Sequence, residues 1–66
     1  MLRKEDLETP VDPEVEKFCR LMCHTEGVDP DNFSVGMGHG VEKGLEFRLW
    51  QYWIPHAIAH FSNNNN

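Results

Sequence analysis

Leu45-Glu46-Phe47-Arg48-Leu49-Trp50-Gln51-Tyr52-Trp53-Ile54-Pro55-His56-Ala57-Ile58-Ala59-His60-Phe61 carries two competing periodicities. Leu45, Phe47 and Leu49 alternate with Glu46 and Arg48, which is a strand signature. Trp50, Trp53, Ile54, Ala57, Ile58 and Phe61 recur instead at helical spacing. The length of the block and its alanines weigh toward a helix from about Phe47 to Ser62. Pro55 cannot donate to the carbonyl of Gln51, so that helix is expected to kink between Gln51 and Pro55. For residues 45–50, helix and strand both stay open.

Upstream of this block, residues 34–44 carry four glycines and read as a loop with wide backbone freedom, ordered only if something packs on it. Asp29-Pro30-Asp31-Asn32 reads as a turn, or a single helical turn ending near Phe33. Before it lies the clearest element. Asp12 is a good N-cap, Pro13 suits the first helical position and Glu14 complements the positive helix end. Val15, Phe18, Cys19, Met22 and Cys23 then form one apolar stripe. Gly27 is placed to close the helix in a left-handed conformation, with Val28 beyond it. A helix from Pro13 to Glu26 follows. Residues 1–11 read as an extended arm pinned by Leu7 or Val11, with room for a short, frayed helix over residues 3–8.

These elements predict a mainly α protein. Its expected architecture is a two-helix hairpin joined by a Gly-rich loop and completed by self-association. The organisation is an arm (1–11), one small helical domain (12–62) and a disordered tail (63–66). Self-association enters because Phe47, Trp50, Tyr52, Trp53 and Phe61 crowd one segment of a 66-residue chain. A single facing helix cannot cover them all. Phe47, Trp50, Trp53 and Phe61 are therefore the expected oligomer interface.

Net charge is −5 and lies entirely in residues 1–33, where nine acids face four bases; residues 34–66 balance two acids with two bases. An acidic chain without a basic stripe argues against direct nucleic-acid binding. No apolar run approaches the roughly 20 residues of a membrane span, and Met1–Asp6 lack the apolar core of a signal peptide. A cytoplasmic location is expected.

Arg20-Leu21-Met22-Cys23-His24-Thr25-Glu26-Gly27-Val28-Asp29-Pro30-Asp31 and Trp50-Gln51-Tyr52-Trp53-Ile54-Pro55-His56-Ala57-Ile58-Ala59 resemble two stretches of small proteins encoded by bacteriophages and proteobacteria. Those proteins share Arg-x-x-Cys-x-x-x-Gly-x-Asp-Pro-Asp and, later, Trp-x-x-Tyr-x-Pro-x-Ala-x-Ala, with Trp53 here where tyrosine is common. The resemblance covers roughly residues 14–32 and 50–61. It implies a phage-type origin and transfers no functional residue.

Four sites merit testing. Glu14, Glu16, Asp29 and Asp31 offer an acidic face for a macromolecular partner with a basic surface. Gly36, Gly38, His39, Gly40 and Lys43 could hold a nucleotide through loop amides, although no Gly-Lys-Ser/Thr ending is present. Cys19/Cys23 and His56/His60 are i, i+4 pairs that could bind zinc as an alternative to a plain apolar core, but the histidines lie off the apolar stripe. Cys23 and His24 point about 100° apart on a helix, so no thiolate pair forms and no catalytic residue is expected. The expectation is a non-catalytic, cofactor-free accessory protein that binds a host or phage macromolecule and modulates it. Ligand sequestration by the loop and a zinc-stabilised hairpin are the alternatives.

Overall fold

A computed structural model describes residues 1–63. The element order is α1 (Lys4–Glu8), α2 (Pro13–Glu26), β1 (Phe33–Val35), β2 (Glu46–Arg48), a 3-10 helix (Leu49–Trp53) and α3 (Ile54–Asn63). The two-helix hairpin is therefore overturned. Among the described residues there are three α-helices and a two-stranded antiparallel sheet. The expected tail lies outside the described residues apart from Asn63, which ends α3.

The competing periodicities of residues 45–61 are both used, one after the other. Leu45–Leu49 keeps its alternation, and β2 pairs Phe47 with Ser34. A helix over the same residues would bring charged Glu46 onto the Trp50–Ile54 stripe, whereas the strand buries Phe47 between two exposed neighbours. Pro55 decides the rest. The bond to the Gln51 carbonyl that Pro55 cannot make comes from Ile54 N–H, one residue earlier, which tightens residues 49–53 into a 3-10 helix. The α-helix then starts at Ile54, with Pro55 in its first turn, where a missing N–H costs nothing. The expected kink in one helix is thus a boundary between two. Gln51 Oε1 accepts from Arg48 N–H at 2.7 Å and caps the entry.

Helix α2 is held at both ends by local chemistry. Asp12 accepts from Glu14 N–H at 2.9 Å. At the other end Gly27 takes φ 76°, and Gly27 and Val28 N–H donate to His24 and Cys23 carbonyls at 3.1 and 3.0 Å. This is the Schellman arrangement, which satisfies carbonyls that the helix end would otherwise leave bare.

Leu2 closes the molecule. Its side chain is fully buried, and its backbone bridges Val41 in parallel register: Leu2 N–H donates to Gly40 and Glu42 N–H donates back to Leu2. The arm is thus anchored at Leu2, while Leu7 and Val11 pack half-buried against the core. Residues 4–8 form α1, started by Asp6 accepting from Arg3 N–H at 2.8 Å. The glycine-rich segment is ordered by this contact and by its own bonds, Gly36 to Leu45, Gly38 to Val41 and Gly44 to Gly36. Gly36 is required by close approach, since a Cβ there would collide with the Glu42 carbonyl and come within 2.7 Å of Val41 Cγ1.

The core comprises Leu2, Cys19, Cys23, Val41, Phe47, Trp50, Ile54 and Ala57. Leu2→Ala is expected to cost about 2–5 kcal/mol, through lost burial and the void left behind. The chemical-denaturation midpoint checks this. Faster hydrogen exchange at Glu42, whose N–H donates to the Leu2 carbonyl, than at the α2 amides would locate the damage in the loop.

Candidate binding site

The structure redistributes the residues that the sequence singles out. Phe47 and Trp50 lie inside the chain's own core, and Trp53 and Phe61 pack half-buried against it. A single chain therefore covers most of the ring surface assigned to an oligomer interface. It does so because the arm, the glycine loop and the sheet all contribute walls, where the hairpin would offer one helix.

The four acids of the expected docking face do not act together. Arg20 Nε donates to Glu16 at 2.8 Å and Arg20 Nη1 to Asp31 at 3.1 Å. Glu16 above all, with Asp31, raises the pKa of Arg20 and holds it in its charged form. Its guanidinium also lies 5.4 Å from the Trp50 ring centroid, tying α2 to the 3-10 helix. Asp29 is exposed and accepts from Asp31 N–H at 2.9 Å within its own turn. Glu14 alone of the four makes no side-chain hydrogen bond among the described residues.

The other candidate groups are similarly absorbed. Cys19 and Cys23 are fully buried free thiols. Burial first, then Cys23 and Glu16, pushes Cys19 up to about 11. Burial also raises Cys23, against Arg20 and a hydrogen bond from Trp53. His60 stacks on Phe18 at 4.9 Å, and His56 tilts against Trp53 at 5.4 Å. Among the described residues no group of three or more His, Cys, Asp or Glu converges on a point, so the zinc alternative is not assembled. In the loop, the amides of Gly36, Gly38, Glu42 and Gly44 are spent on internal carbonyls, and Gly40 lies against the Tyr52 ring. These donors do not face a common ligand. Buried Trp50 Nε1 has no hydrogen-bond partner among the described residues.

What the fold does build is a groove. Where the arm crosses α2 and α3, a cavity of about 260 Å³ is walled by Val11, Val15, Ile54 and Ile58. Asp6, Thr9, Pro10 and Asp12 complete its lining. Both carboxylates accept a backbone N–H at the start of a helix, which fixes them in place. Ile58 is half exposed, so the apolar wall is open to solvent. The groove hides in the sequence because its walls come from three separated segments. The only local hint is apolar Val11 and Val15 placed around Asp12. A second depression across Val11, lined by Glu16, Lys17 and Arg20, mixes both signs of charge.

No protein-family model, no curated protein and no solved structure matches the chain. No helix among the described residues is long and apolar enough to cross a membrane.

The thiols give a direct check. A disulfide reagent such as DTNB at pH 7.5 should react with neither cysteine of the folded protein and with both after denaturation. Cys19 keeps its proton to about 11 when folded and releases it near 9.0 when unfolded. Its contribution to stability is therefore complete below pH 9 and lost as pH rises from 9 to 11. Denaturation midpoints across that range should fall, and fall less steeply in Cys19→Ala.

Proposed function

We propose that this protein is a soluble, non-catalytic accessory protein of the cytoplasm. On this reading it docks on a macromolecular partner by gripping a cationic segment of that partner that carries one bulky apolar side chain. The observation that supports the reading is the pairing, in one groove, of an aliphatic wall with two fixed carboxylates. The wall removes an apolar side chain from water, which favours binding by roughly 25 cal/mol per Å² buried. Asp6 and Asp12 attract Lys or Arg on either side of that anchor and repel acidic competitors. The surplus of acids in residues 1–33 extends this field beyond the groove and speeds encounter with a basic partner.

A binding role, as opposed to catalysis, is supported by the state of the nucleophiles. Both thiols are buried and raised, so neither forms a thiolate near neutral pH. The phage and proteobacterial resemblance of residues 14–32 and 50–61 suits a small protein that modulates a larger one by occupying its surface. In this reading the docking charge moves from Glu16 and Asp31, which serve Arg20, to Asp6 and Asp12.

Fluorescence anisotropy with a labelled Leu/Lys amphipathic helical peptide, and with the same peptide bearing Glu for Lys, tests this. The Lys peptide should bind, and should bind about tenfold more weakly in 300 mM salt than in 50 mM. The Glu peptide should not bind. Asp6→Asn with Asp12→Asn keeps both backbone bonds, because the amide oxygen of Asn still accepts from Arg3 N–H and from Glu14 N–H, and should weaken binding about tenfold. Ile58→Lys should abolish it. Equal binding of the two peptides, or unchanged binding by Ile58→Lys, would overturn the reading.

A further inference from the structure

Phe33, Val35 and Met37 alternate along β1 and its continuation, and all are exposed, at 69%, 52% and 76%. Residues between them face the other way: Ser34 is half-buried opposite Phe47, and Gly36 is buried. The stripe is therefore the outer face of the sheet, shared with Arg48 and Glu46 of β2, which stand opposite Phe33 and Val35; the Arg48 guanidinium lies 4.4 Å from the Phe33 ring centroid. Its exposed apolar surface is on the order of 300–400 Å², large for so small a molecule.

The backbone beside it is equally unpartnered. Leu49 N–H donates to Asn32, and Gly36 N–H to Leu45, so the hydrogen-bonded pairs of this sheet are 32/49, 34/47 and 36/45. By the alternation of antiparallel ladders, the N–H and C=O groups of Phe33 and Val35 point away from β2. Met37 has no backbone partner among the described residues. The odd-numbered residues thus present both an apolar face and a row of free hydrogen-bonding groups along one edge.

We infer that this edge pairs with the same edge of a second copy, antiparallel about Val35, to make a four-stranded sheet ordered β2–β1–β1–β2. In that register Val35 faces Val35, and Phe33 faces Met37, so every apolar side chain of the stripe meets another. Charge selects this occupant. Two chains of net charge −5 repel each other over most of their surfaces, but residues 32–41 contain no Asp, Glu, Lys or Arg. A copy can therefore approach along this seam without opposing like charges, and a basic or acidic segment finds no counter-charge on the strand itself. The two-fold axis makes the interface self-complementary in length and in side-chain size. The area involved lies at the low end for stable interfaces and gives a weak dimer.

Sedimentation of the full chain from 10 µM to 1 mM tests this. The mass should rise from monomer toward dimer with a midpoint of roughly 100 µM. The midpoint should fall as salt is raised, because screening relieves repulsion between the two bodies. This sign is opposite to that expected for peptide capture at the groove, so either proposal can fail alone. Val35→Lys, at an exposed site, should keep its melting temperature and remain monomeric. Val35→Cys should cross-link under oxidation, since paired Cα atoms about 5.5 Å apart suit a disulfide. Ser34→Cys should not cross-link, because its symmetry mate lies about 8 Å away. A wild-type mass that stays monomeric at 1 mM, or cross-linking by Ser34→Cys in place of Val35→Cys, would overturn the proposal.

Discussion

Burial of Leu2 against the glycine-rich segment is the contact on which the rest of the architecture depends. Its backbone is wired to Gly40 and Glu42 on either side of Val41, which is itself 4% exposed. One residue of the arm thereby orders the longest irregular part of the chain. The ordered loop then forms a wall of the core that holds Phe47 and Trp50. A small chain has little apolar surface to spend, and here each segment covers another.

The same constraint explains why the glycines are structural. Ten residues join β1 to β2, at 36–45, and they must turn tightly beneath Leu2. Gly36 leaves no space for a side chain beside the Glu42 carbonyl. Gly38, Gly40 and Gly44 take positive φ, where other residues are strained. The amides of Gly36, Gly38 and Gly44 donate to carbonyls of the same segment and its flanks, so these glycines bind the chain to itself.

Charge is handled by position. Arg20 gathers Glu16 and Asp31 across the α2–β1 junction, and Arg48 both covers Phe33 and donates to the Asp31 carbonyl at 3.1 Å. Such exposed pairs contribute little stability each but fix orientation. Asp6 and Asp12, which line the apolar cavity, also hold the first turns of α1 and α2, Asp6 by accepting from the N-cap Arg3 N–H and Asp12 as the N-cap itself, so their fold role and their proposed binding role need the same geometry. On the opposite account, the uncharged β1 edge is set apart from this acidic surface.

Local chemistry is legible in the chain alone. Asp12, Pro13 and Gly27 delimit α2, because capping bonds and a left-handed glycine act within a few residues. Pro55 likewise announces a break whose cause is a single missing N–H. What the sequence could not determine was whether Phe33–Val35 formed a strand, since the three-residue pairing exists only if Glu46–Arg48 lies beside it. Nor could it reveal that Leu2 would be buried, that Cys19, Cys23, Phe47 and Trp50 would share one core, or that Asp6 and Asp12 would flank one groove. Each depends on segments far apart in the chain meeting in space. The energy of such meetings is apolar burial, which is not directional and so leaves no fixed spacing to read.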